Sequence, residues 1–137
     1  MRLFLDTSVL LAASGSESGA SRAVFDRASA SGWILLTTPH VVEEAIVNLS
    51  HLSATATAAW GRLRPALTVM DDVLTLDRAA AFEPAKDRPI LFSALAWSDV
   101  LLTLDRADFG SLIGGEFYGL VVLTPGMFLQ QEREAGR

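Results

Sequence analysis

Several acids in the 137-residue chain stand where backbone elements can bring carboxylates together. Asp6 directly follows the apolar run Leu3-Phe4-Leu5, and Asp105 lies two residues after Thr103, at the end of the run Val100-Leu101-Leu102. Glu43 and Glu44 fall in the first turn or so of a helix that begins near His40, and Asp87 opens another helix ahead of Arg88-Pro89. Carboxylates held close together repel one another, and some take up protons unless a cation is present. A hard divalent ion accepts oxygen donors of this kind. Each acid also has a structural alternative. Aspartate at a strand end or helix start is commonly a cap or a turn former, and glutamate in a first turn complements the helix dipole. Only convergence of the set would separate chemistry from capping.

The elements that must position these acids follow from periodicity. Residues 2–5 read as a buried strand, residues 7–13 as a helix, 14–19 as a Ser/Gly-rich break, and 18–31 as a second helix stopped by Gly32. Residues 33–36 form a second strand candidate. One long helix is expected over 40–60, with Val42, Ala45, Ile46, Leu49 and Leu52 at helical spacing. Residues 67–70 and 100–103 read as strands, 118–123 as the last strand, and Thr124-Pro125 as the cap and first residue of a closing helix. A short helix is expected around 76–82. Short, continuously apolar strands alternating with helices predict an α/β fold in three layers, α/β/α, with a mostly parallel sheet, as a single domain over 1–137. In such sheets ligands bind beyond the carboxyl ends of the strands, where Asp6 and Asp105 are placed.

Composition narrows the function classes. Half of the residues are apolar, a fifth are charged, and there is no cysteine. Thiolate metal sites and a disulfide framework are excluded, and a cytoplasmic setting is expected. With two histidines a multi-histidine zinc centre is not expected, and no apolar run is long enough to span a bilayer. A net charge of −5 argues against nucleic-acid binding by bulk electrostatics, but not against phosphate contacts made through cations.

Four segments, in order, resemble the motifs of the PIN-domain ribonuclease family. They are Leu3-Phe4-Leu5-Asp6-Thr7-Ser8-Val9-Leu10; Thr38-Pro39 followed by Glu44-Ala45 and Leu49; Asp87-Arg88-Pro89-Ile90-Leu91 with Ala94; and Ser98-Asp99-Val100-Leu101-Leu102-Thr103-Leu104-Asp105-Arg106-Ala107-Asp108-Phe109. Together they span nearly the whole chain. The resemblance implies an α/β/α sandwich that cleaves single-stranded or structured RNA with Mg²⁺ or Mn²⁺. It implies a metal-holding and catalytic set of Asp6, Glu44, Asp87 and Asp105, with Asp108 peripheral and Asp99 structural. Thr103 would support Asp105 or a metal-bound water, with Thr7 and Ser8 in similar supporting roles. The doublet leaves Glu43 and Glu44 both open as the second acid. Small single-domain relatives of this kind are toxins of VapBC-type toxin–antitoxin pairs, so an antitoxin partner and a homodimer are implied as well.

The chemistry expected of such a set is water attack on a phosphodiester, leaving a 5′-phosphate and a 3′-hydroxyl. Divalent ions would activate the water and stabilise the leaving oxygen. Lys86, Arg88 and Arg106 flank the acids and are candidates for phosphate contact, although solvated surface positions suit them equally. Trp33 and Trp97 read as core, Trp60 as a residue at a helix end or interface, and His40 and His51 as surface residues. Competing readings are a PIN-fold module without cleavage that acts as a scaffold, and a solitary RNA-processing nuclease. A dehalogenase-like phosphatase would need a second aspartate at the position of Ser8, and a receiver domain would need a paired acid after the first strand.

Overall fold

The structure, a computed structural model, describes residues 1–74 and 88–136. Among these, six strands form one sheet in the order β3-β2-β1-β4-β6-β5. Strands β1 (Arg2–Leu5), β2 (Ile34–Thr37), β3 (Leu67–Val69), β4 (Val100–Leu102) and β6 (Leu120–Leu123) are parallel, and β5 (Gly115–Phe117) runs antiparallel to β6. Leu3, Phe4 and Leu5, and likewise Val100, Leu101 and Leu102, are buried at consecutive positions. Consecutive strand residues point to opposite faces, so both faces of the sheet are covered, as the α/β/α reading requires.

Helices α1 (Thr7–Gly15), α2 (Ala20–Ser31), α3 (Pro39–Leu49), α4 (Ala54–Leu63), α5 (Arg88–Trp97), α6 (Arg106–Phe109) and α7 (Pro125–Glu134) make up the remainder, with a single 3₁₀ turn at Arg64–Ala66. Helix α2 ends where Gly32 takes φ 73°, a left-handed conformation that suits glycine. The Thr124 hydroxyl caps α7 by accepting from the Met127 amide at 3.1 Å. Trp33 and Phe128 meet edge to face at 4.9 Å between ring centres, joining the start of β2 to α7. No described helix is long and apolar enough to cross a membrane.

The structure departs from the sequence reading at three places. The long helix expected over 40–60 is two helices broken at residues 50–53. There, short polar side chains take over backbone groups: the Ser50 hydroxyl donates to the Val47 carbonyl (2.7 Å), and the Ser53 hydroxyl accepts from the Ala56 amide (3.2 Å) to cap α4. The final strand starts at Leu120 rather than Tyr118. Tyr118 and Gly119 both have positive φ (50° and 89°) and form the two-residue turn of a β5–β6 hairpin that has no counterpart in the sequence reading. Trp60 is half-buried against the hydrophobic core rather than free at a helix end. The helix expected around 76–82 lies outside the described residues.

The strand order places the site. From β1 the chain steps to β2 and β3 on one side, then crosses back to β4 and β6 on the other. The direction of winding therefore reverses between β1 and β4, the crevice where α/β sheets bind ligands. Leu5 pairs with Leu102 at the carboxyl ends of these strands, and the Asp6 amide continues the ladder to the Leu102 carbonyl at 3.1 Å.

Candidate active site

Asp6 and the segment Thr103–Asp105 leave the sheet side by side at this switch point. Asp6 is the N-cap of α1, only 3% exposed, and its Oδ1 accepts from the Thr7 amide at 2.7 Å. Its Oδ2 accepts from two hydroxyls, Ser8 Oγ at 2.9 Å and Thr103 Oγ1 at 2.8 Å. Those hydroxyl oxygens in turn accept backbone amides: Leu104 N donates to Ser8 Oγ and Asp105 N to Thr103 Oγ1, both at 3.0 Å. Asp105 caps α6, its Oδ1 accepting from the Asp108 amide at 3.0 Å.

A cleft of about 280 Å³ opens beside these groups, lined by Asp6, Thr7, Ser8, Leu11, Glu44, Asn48 and Asp105. Three of the four acids singled out in the sequence thus share one cavity. Asp87 and Lys86 lie outside the described residues. Glu43 is exposed and forms no part of the cleft wall, whereas its neighbour Glu44 does. Asp108 contributes its amide to Asp105 and stays out of the cleft. Arg106 is exposed at the start of α6. Thr103 is fully buried, and its hydroxyl hydrogen goes to Asp6 rather than to the Asp105 carboxylate.

Two further residues line the cleft: Asn48, which helical spacing in the sequence already places on the Glu44 face, and Leu11, for which the sequence reading gave no role. Asn48 lies one turn beyond Glu44 on α3, its Nδ2 donating to the Glu44 carbonyl at 2.8 Å, and Leu11 lies one turn beyond Thr7 and Ser8 on α1. His40 is also closer to the site than its surface reading implied, with Nε2 3.7 Å from Glu44 Oε2.

The electrostatics of the cleft are one-sided. Burial, the largest cause, pushes the Asp6 carboxyl above its ordinary value, and the negative charge of Glu44 adds to this. The hydrogen bonds from Thr103, Ser8 and Thr7 act in the opposite direction without cancelling it. Among the described residues, no lysine or arginine lines the cleft. The buried Thr7 hydroxyl, on the cleft wall, has no hydrogen-bond partner among the described residues. A buried carboxylate without a basic partner, an orphaned hydroxyl and a wall of oxygen donors fit a hard divalent cation in kind. In spacing the set is open: among the described residues no three of Asp, Glu or His lie close enough to hold an ion. The Glu44 carboxylate is 43% exposed.

No protein-family model matches the chain, and no curated protein matches it. Among solved structures, the chain is similar to VapC20 of Mycobacterium tuberculosis, a toxin described as cleaving the sarcin–ricin loop. The two are 21% identical over 80% of this chain and 94% of that one, with a TM-score of 0.46.

Proposed function

We propose that the protein is a divalent-metal-dependent endoribonuclease of the PIN type that hydrolyses a phosphodiester of single-stranded or structured RNA. The observation that supports this most directly is the convergence of Asp6, Glu44 and Asp105 on one cleft at the switch point of the sheet. Asp6, Asp105 and Glu44 would hold Mg²⁺ or Mn²⁺, with Asp87 as the fourth acid. When bound, the ion supplies charge neutralisation for the scissile phosphate and activation of water.

The chain's own residues supply the rest. Asp6 is fixed by burial and three hydrogen bonds, so it needs little reorganisation on binding. Asp105 rides on the same backbone segment that Ser8 and Thr103 fasten to Asp6. Glu44 and Asn48, both on α3, line the same cleft and would be available to an incoming phosphate or ribose. Because water rather than the 2′-hydroxyl attacks, the products carry a 5′-phosphate and a 3′-hydroxyl. The role of toxin restrained by an antitoxin, and assembly as a homodimer, belong to this proposal on the strength of the motif resemblance.

Incubation of the purified protein with single-stranded RNA tests it. Cleavage in Mg²⁺ or Mn²⁺, loss in chelator and loss in Asp6→Asn are expected. A 2′,3′-cyclic phosphate product, or cleavage that survives both chelator and substitution, would end the proposal. Calorimetric titration with Mn²⁺ separates it from the scaffold reading, which expects no uptake at millimolar concentrations.

A further inference from the structure

We infer that Asp6 meets the contents of the cleft through Oδ1 alone, because Ser8 and Thr103 act as positioning residues that occupy both lone pairs of Oδ2. A backbone N–H can only donate, so the amides of Leu104 and Asp105 oblige the Ser8 and Thr103 oxygens to accept. Each hydroxyl then has its single hydrogen to direct elsewhere, and each lies within 2.9 Å of Asp6 Oδ2. The direction of both relays is thereby fixed: amide to hydroxyl to carboxylate. A carboxylate oxygen offers two lone pairs, and both of those on Oδ2 receive a hydroxyl. On Oδ1 one lone pair accepts from Thr7 and the other remains.

The relays have a second consequence. They begin on the amides of two consecutive residues, one of which is Asp105 itself, and end on one oxygen of Asp6. The orientation of Asp6 is therefore tied to the backbone that carries Asp105, across the β1–β4 crevice. Removing either hydroxyl frees a lone pair on Oδ2, lets the carboxylate turn, and loosens the segment bearing Asp105. The inference rests on the metal-dependent reading in one respect, that a divalent cation is what Oδ1 meets.

The test uses Mn²⁺ titrated calorimetrically into the wild type, Ser8→Ala, Thr103→Val and Thr103→Ser, together with amide NMR spectra of the metal-free proteins. Partners that orient a metal ligand typically account for about 10–100-fold in affinity. Ser8→Ala and Thr103→Val are each expected to weaken Mn²⁺ binding by about that factor. Ser8→Ala should move the Leu104 amide resonance and Thr103→Val that of Asp105. Thr103→Ser, which keeps the hydroxyl, should restore both affinity and spectrum. Thr103 is fully buried, so if Thr103→Val does not fold, the partly exposed Ser8→Ala carries the comparison. Unchanged affinity in Ser8→Ala, or a crystal structure with Mn²⁺ on Oδ2 or on both oxygens, overturns the inference while leaving the nuclease reading intact. A wild type that takes up no Mn²⁺ overturns the metal reading itself, and the coordination through Oδ1 falls with it.

Discussion

The two ends of the β1–β4 pair each carry an aspartate, and the two are treated in opposite ways. At the amino end, Asp99 precedes β4 and is half-exposed. It accepts from the Arg2 amide at 2.8 Å, stands 3.8 Å from the Arg2 guanidinium, and donates its own amide to the Arg2 carbonyl at 2.9 Å. At the carboxyl end, Asp6 is buried and hydrogen-bonded to neutral donors, and no lysine or arginine among the described residues lines its cleft. The larger cleft is at the amino end, about 510 Å³ beside Met1, Asp99 and Tyr118 against about 280 Å³ beside Asp6. The proposed site is therefore the smaller of the two clefts, singled out by its charge rather than by its volume. Asp99 has an arginine within ion-pair distance, whereas Asp6 has no basic partner among the described residues.

The strongest way to break this contrast is to neutralise one acid at each end. Asp105→Asn removes charge from the cleft and should lower kcat/KM on single-stranded RNA by about 10²–10³-fold, the scale of losing one charge-stabilising group. Asp99→Asn should leave it within about twofold, since the effect of a distant surface charge is screened. Equal losses at the two ends, measured by initial rates in Mn²⁺, would remove the distinction.

A second test uses pH in the metal-free protein. Burial raises the Asp6 carboxyl in the folded chain above its ordinary 3.8, so the fold keeps a proton that the unfolded chain has released. Its contribution favours the fold below the unfolded value and is lost as pH rises through the folded one. The melting temperature of the wild type relative to Asp6→Asn should therefore fall as pH is raised above about 4, and Mn²⁺ at neutral pH should recover it. A difference that stays flat with pH in calorimetric scans would mean that Asp6 is not strained by its burial.

Much of this was legible in the sequence because the signals are local. Continuous apolar runs gave the parallel strands, and an acid directly after such a run is bound to lie at the carboxyl rim. The break between α3 and α4 was not legible because the Ala/Thr-rich tail 53–59 is only weakly patterned and carries no glycine or proline to mark a stop, while the deciding contacts are hydroxyls at Ser50 and Ser53. The β5 strand was hidden because Gly115-Glu116-Phe117 has no β-branched residue and forms only by pairing with β6. At the site, the adjacent pair left Glu43 and Glu44 both open. Packing of α3 turns Glu44 toward the cleft, which is tertiary information. The part played by Thr103 was legible only in half: its hydroxyl oxygen holds the Asp105 amide, as a threonine before an acid suggests, yet its hydrogen goes to an acid 97 positions away.

The smallest expected effect is at the amino end and concerns stability alone. Both side chains of the Arg2–Asp99 pair are about half-exposed, so solvent screens their attraction and the ion pair contributes well under about 1 kcal/mol. The hydrogen bond from the Arg2 amide to the Asp99 carboxylate is the stronger link, because an ionised acceptor strengthens it and it joins β1 to the start of β4. Arg2→Ala removes only the ion pair, whereas Asp99→Ala removes both. Chemical denaturation should therefore show almost no change for Arg2→Ala and a loss of about 1 kcal/mol for Asp99→Ala, with metal affinity unaltered in both. Were Arg2→Ala as costly as Asp99→Ala, charge pairing rather than the backbone bond would hold this end. The amino-end acid would then depend on its cation, and the contrast with Asp6 would sharpen accordingly.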